Sequence, residues 1–151
     1  KIDSVPGNSG WSTLSTPAYC WYGENPNYKD YSGALYNFFA VQTGNLAPDG
    51  WHVPTDAECA TLNGYINGAE GGGDATKFVT VLGGYCTGYA LGSGMEPFSN
   101  MTTGGYWWSS HFNEGSVNRA ISFRSDGSNL YVVFADYVAL GYSVRCIKDS
   151  P

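Results

Sequence analysis

Basic charge is scarce in this chain. Lys and Arg together supply seven of its 151 residues against thirteen Asp and Glu, a formal net charge of −6. Nucleic-acid binding draws on a basic footprint that displaces counterions, so nucleic acid is not an expected partner. The same deficit weighs against an anionic membrane surface. Long apolar runs are missing too. None approaches the roughly 20 residues that a bilayer-spanning helix needs, so direct membrane insertion is not expected. Histidine is limited to His52 and His111, too few for most histidine-based metal centres. Cys20, Cys59, Cys86 and Cys146 form no CxxC, which argues against a zinc site. "GAEGGGDATK" lacks the spacing of a phosphate-binding loop, and no G-x-S-x-G elbow occurs. The chain begins at Lys1 with neither Met nor a signal peptide, and a mature or trimmed fragment is the expectation.

What is abundant points elsewhere. Aromatics make up 16% of the residues, with five Trp and twelve Tyr, and there are 21 Gly. Charged residues are 13%, about half the usual share. This is the profile of a loop-rich, aromatic-packed domain. Disorder is excluded, because it needs few aromatics and high charge. The length fits a single domain over residues 1–151, large enough to bury a core without metals.

Local patterns give a mixed plan. Lys1 to Ser15 is polar and carries Pro6, Gly7 and Gly10, so residues 1–17 read as a loop or loosely held edge. Ala18 to Tyr22 reads as a short aromatic strand, closed by a turn at Asn25-Pro26. "YSGALYNFFAV" predicts a helix, with Leu35, Phe38 and Phe39 on one stripe and Gly44-Asn45 ending it. Thr55 followed by Glu58 forms a T-x-x-E capping box after Pro54, and Asp56 adds charge at the positive end of the helix dipole. Cys59, Leu62 and Ile66 are its buried face, and Gly68 its end. Asp56 and Glu58 are therefore read as a helix cap rather than a catalytic dyad. Beyond "GGGD" the chain turns to strands: Phe78, Val79 and Val81; "YWWSS"; a hairpin of Ala120–Arg124 and Leu130–Phe134 around Asp126-Gly127; and a last alternating strand, "YSVRCI". Two helices early and an antiparallel sheet late make the expected class α+β.

Few residues suggest chemistry. His52, inside Gly-Trp-His-Val-Pro, reads as packed rather than catalytic. A Cys59–His52 nucleophile pair is not expected, because Cys59 falls on the inward face of its helix. Glu96-Pro97 resembles part of the sugar-contact tripeptide of calcium-dependent lectins, but Phe98 follows, and it cannot ligate a hard cation. Asn100 heads an N-M-T sequon. No metal site, catalytic residue or cofactor is expected. Four widely spaced cysteines allow two disulfides with three connectivities, which suits an extracytoplasmic setting. Four buried free thiols are the alternative.

Taken together, "CWYGENPNYKDYSGALYNFFAV", "GWHVPTDAECATL", "LGGYCTGYA", "GGYWWSS" and "GYSVRCIKD" resemble, in this order, the landmarks of the Fibrobacter succinogenes major paralogous domain, from about Tyr19 to Asp149. The resemblance implies a C-type lectin-like fold: two helices, a twisted antiparallel sheet, and first and last strands side by side. It also implies a form related to the formylglycine-generating-enzyme domain, and exported surface proteins of Bacteroidetes-type bacteria and their phages. Cys59 stands where that family usually has Trp, and Cys86 where it commonly has Arg. Two unusual cysteines together suggest a Cys59–Cys86 pair. Cys20 and Cys146 occupy positions where the family often has Cys, which would join the first and last strands. The family's Cys-Pro-x-Gly is here Ala47-Pro48-Asp49-Gly50.

Domains of this layout also serve as variable proteins of diversity-generating retroelements, in which a fixed scaffold carries a diversified C-terminal face. Residues 105–149 divide on that logic. Trp107, Trp108, Ala120, Ile121, Phe123, Val144 and Cys146 read as scaffold. His111, Phe112, Asn113, Asn118, Arg119, Ser122, Arg124, Asn129, Tyr131, Val133, Asp136 and Tyr137 read as contacts, in the Tyr, Arg, Asn and Ser palette of a binding surface. An ordinary solvated hairpin, with Val133, Phe134 and Val138 partly in the core, is the plainer alternative. The leading expectation is a non-enzymatic recognition domain on a cell or virion surface, with a protein or glycan ligand. A calcium-dependent lectin, an oxidase relative using Cys59 and Cys86, and a structural module of a larger surface protein are the competing ones. Oligomeric state is not legible.

Overall fold

The computed structural model describes residues 1–8, 10–67, 81–88, 96–112, 119–126 and 129–150, with the side chains of Arg119, Ile121, Phe134 and Ala135 outside that description. The expectations at Gly68, Phe78, Val79, Asn113, Asn118 and Gly127 lie outside the described residues.

In chain order the elements are β1 (Asp3–Ser4), β2 (Ala18–Cys20), α1 (Lys29–Ser32), β3 (Leu35–Tyr36), α2 (Phe38–Val41), β4 (Trp51–His52), α3 (Asp56–Asn67), β5 (Gly83–Cys86), β6 (Phe98–Met101), β7 (Gly105–Phe112), β8 (Arg119–Ser125), β9 (Leu130–Tyr137) and β10 (Ile147–Lys148). They form four small sheets: β1-β2-β3, β10-β4, β5-β6 and β7-β8-β9. The pairings are antiparallel except β1 with β2. The fold is mixed, with few helices and several small antiparallel sheets, as the late-strand pattern of the sequence implied.

The best-read element is α3. Thr55 N–H donates to Glu58 Oε2 at 2.8 Å, and Glu58 N–H donates back to Thr55 Oγ1 at 3.3 Å. That reciprocal box satisfies two donors which the first helical turn cannot pair internally. Cys59 is buried, and Leu62 and Ile66 pack with it against Trp107, Phe123 and Leu130. The hairpin is also where the sequence put it, with Ser125 opposite Leu130 and Arg124 opposite Tyr131.

Three expectations are corrected. The helix read over "YSGALYNFFAV" is two four-residue helices with a strand between. Gly33 sits at φ 73, a left-handed conformation that stops α1. Leu35 then pairs with Cys20, and Tyr36 with Tyr19 and Tyr142. Asn37 restarts the helix: its Oδ1 accepts from Ala40 N and Ala18 N at 3.1 and 3.0 Å, while its Nδ2 donates to Thr16 O at 2.9 Å. Strand pairing and a satisfied buried cap outweigh a helical stripe of three apolar residues. The N-terminal segment is not a loose edge either, since β1 pairs with β2 and Trp11 is fully buried. The last strand is short. β10 pairs with β4 rather than with β1 or β2, and the residues before it, Gly141 to Ser143, form single bridges to Cys86, Tyr36 and Trp107.

This C-terminal segment threads the largest core. Phe38, Val41, Trp108, Ala120, Val138 and Tyr142 are buried together there. A run of ring contacts crosses it: Phe112 on Phe38, Phe38 on Trp108, Trp108 on Tyr142, and Tyr142 on Tyr106, with centroids 4.4 to 6.1 Å apart. Trp108 Nε1 donates to Tyr36 O at 2.7 Å, which gives the buried indole its required partner. A second cluster holds Trp11, Ala18, Cys20, Leu35 and Cys86.

Candidate functional site

A cleft of about 290 Å³ opens at the end of the β7-β8-β9 sheet, lined by Asn100, Thr103, Gly104, Tyr106, Arg124, Ser125, Asp126 and Tyr131. Its geometry follows from register. Arg124 stands opposite Tyr106 on one side and Tyr131 on the other, so cross-strand neighbours place a cation between two phenols. The guanidinium lies 5.2 Å from the Tyr106 ring centroid and 5.9 Å from that of Tyr142, within cation–π range. Tyr131 is 48% exposed, and its hydroxyl donates to Asp126 Oδ2 at 3.0 Å. Asp126 Oδ1 also accepts from Asn129 N at 2.8 Å, which ties the turn to β9. On the facing rim, Asn100 Nδ2 donates to Tyr106 Oη at 2.5 Å.

Arg124 is held from below. Its Nη2 donates to Asp136 Oδ1 at 2.5 Å and to Tyr142 Oη at 2.9 Å. Ser122 Oγ donates to the other Asp136 oxygen. Burial works against the charge on Arg124, but the neighbouring Tyr142 and Asp136 outweigh it, and the guanidinium stays above its ordinary value. Burial holds the Tyr142 hydroxyl well above the usual phenol range. The Arg124 Nε is buried and finds no partner among the described residues. The cleft thus offers a fixed cation, aromatic faces and short polar groups. None of its lining residues is a His, Cys or Lys.

The expected contact residues do not form one continuous face. Arg124, Asn129 and Tyr131 gather at or beside the cleft. Ser122 and Asp136, read as surface contacts, are 0% and 6% exposed and serve as its internal support. Ser122 shares the inward side of β8 with Ala120, two residues before it, and for Asp136 the reason is a register irregularity: Ala120 faces Asp136 and Ser122 faces Val133, so β9 carries one extra residue there. A bulge of one residue reverses which side chains point inward. Asp136 turns in, and Tyr137 turns out to 57% exposure. Val133, before the bulge, is half-buried. His111 and Phe112 lie toward the other end of the sheet. His111 is exposed, with Nδ1 3.7 Å from Asp56 Oδ1, and Phe112 stacks on Phe38. Arg119 pairs with Tyr137 in the backbone ladder.

Sequence reading missed Tyr106, Asn100 and Asp126 as cleft residues and Tyr142 as the support beneath Arg124. Tyr106 was absorbed into a buried strand, and Asp126 into a turn. The Asp-Gly hairpin signal carried enough to align Arg124 with Tyr131, but nothing local aligns either with Asn100 or Tyr142. His52, read as packed, is half-exposed and bridges two carboxylates. Its Nδ1 lies 2.6 Å from Asp149 Oδ1 and its Nε2 3.0 Å from Glu58 Oε1. Both partners raise its pKa, the Asp149 hydrogen bond most.

The four cysteines are free in the structure, so neither expected disulfide is formed there. Cys59 and Cys146 line one apolar cavity of about 250 Å³ with Leu62, Phe123 and Ile147. Burial pushes the Cys59 thiol up to about 12, which disfavours the thiolate a nucleophile needs. Cys20 and Cys86 meet in the second core cluster. Among the described residues there is no group of three or more His, Cys, Asp or Glu side chains placed to hold a metal, and no helix is long and apolar enough to cross a membrane.

Together, fold and cleft define a mixed domain of small antiparallel sheets, with a polar-aromatic cleft at one sheet end. The chain belongs to the Fibrobacter succinogenes major domain family, whose model matches residues 2–148. No curated protein and no solved structure matches it.

Proposed function

We propose that this chain is a non-enzymatic recognition domain, displayed on a bacterial cell or phage surface, that binds a protein or glycan through its C-terminal segment. The observation that carries the reading is Tyr131 beside Arg124 at the cleft mouth. One is an exposed ring, the other a cation held in place by Asp136 and Tyr142. Tyr and Arg are the residues that most often dominate binding energy. They do so best when their own positions are fixed before the ligand arrives, because less conformational entropy is then lost. The packed sheet beneath supplies that fixation. A C-type lectin-like architecture and a segment open to diversification belong to the same proposal. Exposed Tyr131, Tyr137 and His111 tolerate change at little cost, whereas Trp107, Trp108, Ala120 and Phe123 are buried and do not.

The test is a comparison of wild type and Tyr131→Ala on a glycan array and on a panel of purified bacterial surface proteins. Binding should be lost in the variant while its melting temperature moves by less than about 2 °C. Equal binding by both proteins would place the site elsewhere. Sugar binding abolished by a chelator would favour the calcium-dependent lectin alternative. For diversification, the gene should lie near a reverse transcriptase and a near-copy of its own final coding stretch that differs at adenines.

A further inference from the structure

We propose that Cys20 and Cys86 are a cross-link site, closed as a disulfide when the chain folds in the presence of a disulfide oxidant. The two positions are far apart in sequence and converge in one apolar cluster, where Cys20 is 1% and Cys86 0% exposed. The neighbouring Cys86 is the main influence that raises the Cys20 thiol, ahead of burial. Cys86 Sγ–H points to Gly7 O at 3.6 Å.

The strands that carry them are fixed by the surrounding pairings. Cys20 is registered opposite Leu35 in β3, and Cys86 bridges Gly141. A Cβ built on Gly141 would sit 2.8 Å from Cys86 Cβ and 3.5 Å from Leu35 Cβ. Leu35 and Gly141 thus lie between the strands that carry Cys20 and Cys86, and the close approach at Gly141 leaves no room for a side chain beside Cys86. This selects a connectivity different from both pairings that the family resemblance implied.

The chemistry is thiol–disulfide exchange. One cysteine thiolate attacks a sulfur of a small-molecule disulfide such as oxidised glutathione, forming a mixed disulfide and releasing one glutathione thiolate. The second cysteine thiolate attacks the protein sulfur of that mixed disulfide, and the second glutathione leaves. The two cysteine protons end on the two glutathiones, and the two electrons lost by the cysteines reduce the oxidant. In the folded core the contact with Cys86 and burial hold the Cys20 thiol far above its ordinary range, so exchange belongs to the open chain, before the cluster closes. The bond then closes a loop from Cys20 to Cys86 that contains α1, α2 and α3.

Reduced, denatured full-length chain is refolded in a mixture of reduced and oxidised glutathione, alkylated in denaturant, and mapped by peptide mass spectrometry. The expected result is a peptide joining Cys20 to Cys86, with both positions unalkylated. The oxidised protein should melt about 10 °C above the same protein refolded with a phosphine reductant, because a loop of this length strongly constrains the unfolded chain. Full alkylation of both Cys20 and Cys86 overturns the proposal, as does Cys20 joined to Cys59 or Cys146. Equal melting temperatures for the linked and reduced forms would overturn its stabilising role.

Discussion

At the scale of single residues, Arg124 and Tyr131 are neighbours with opposite burdens. Arg124 is the sole basic partner of Asp136 among the described residues, and Asp136 is almost fully buried. Arg124→Ala leaves that carboxylate with neutral hydroxyl neighbours and no cation, and an uncompensated buried charge is expensive. Because the Arg124 side chain is itself 34% exposed, solvent screening brings the expected loss below the range for a fully buried pair, to about 2 kcal/mol, read as a lower urea midpoint at unchanged m-value. Tyr131→Ala removes an exposed ring and one surface hydrogen bond, and should cost within about 0.5 kcal/mol. The contrast separates support from contact. The sequence read both as contacts for a physical reason: residue type says that Arg, Ser and Asp suit a surface. Whether a given one points out depends on strand parity, which a one-residue bulge inverts without leaving any mark in composition.

Among elements, the informative case is how α3, β4 and the chain's last residues are fastened. Half of this fastening was legible. Thr55-x-x-Glu58 is a local signal, and local spacing decides helix caps. The other half was not, because Asp149, the second partner of His52, stands 97 positions away. The β4–β10 pairing that brings it close is only two residues long. The clasp gives stability a pH dependence whose sign can be worked out. His52 has a raised pKa, so its contribution is fully present below its ordinary 6.5 and is lost as pH rises through the raised value. Glu58 has a lowered pKa, chiefly from its Thr55 backbone hydrogen bond. Its contribution is fully present above the ordinary 4.5 and is lost as pH falls through the lowered value. Both are complete between pH 4.5 and 6.5. His52→Gln should therefore lower the melting temperature most in that window, and the gap from wild type should close in alkaline buffer. A gap independent of pH would mean that His52 acts by packing alone. High salt should also narrow it, since all three side chains are at least a third exposed.

For the whole molecule, the question is what makes several small sheets one body. Sequence reading recovered the late sheet and α3, where hydrophobic period and turn chemistry are local. It recovered little of how the chain's start and end meet, because that is settled by contacts between distant residues. Trp11 is the clearest instance. It lies in a polar segment with Pro6, Gly7 and Gly10 nearby, and nothing periodic surrounds it. Yet its ring is fully buried beside Leu35 and Cys86. Its Nε1 donates to Ala139 O at 2.7 Å, across 128 positions. Gly88 admits the ring edge, since a Cβ there would lie 2.6 Å from Trp11 Cδ1. Deleting a buried Trp side chain forfeits its transfer energy and leaves a cavity, about 3–5 kcal/mol in well-packed cores. Trp11→Ala should thus remove a large share of the 5–15 kcal/mol that such domains typically hold, with urea unfolding shifted to much lower midpoints. Trp11→Phe keeps most of the apolar contact and strands the Ala139 carbonyl, for an expected loss of about 1–3 kcal/mol. If the segment were the loose edge that its composition suggests, neither substitution would move the midpoint, and both proteins would unfold with wild type.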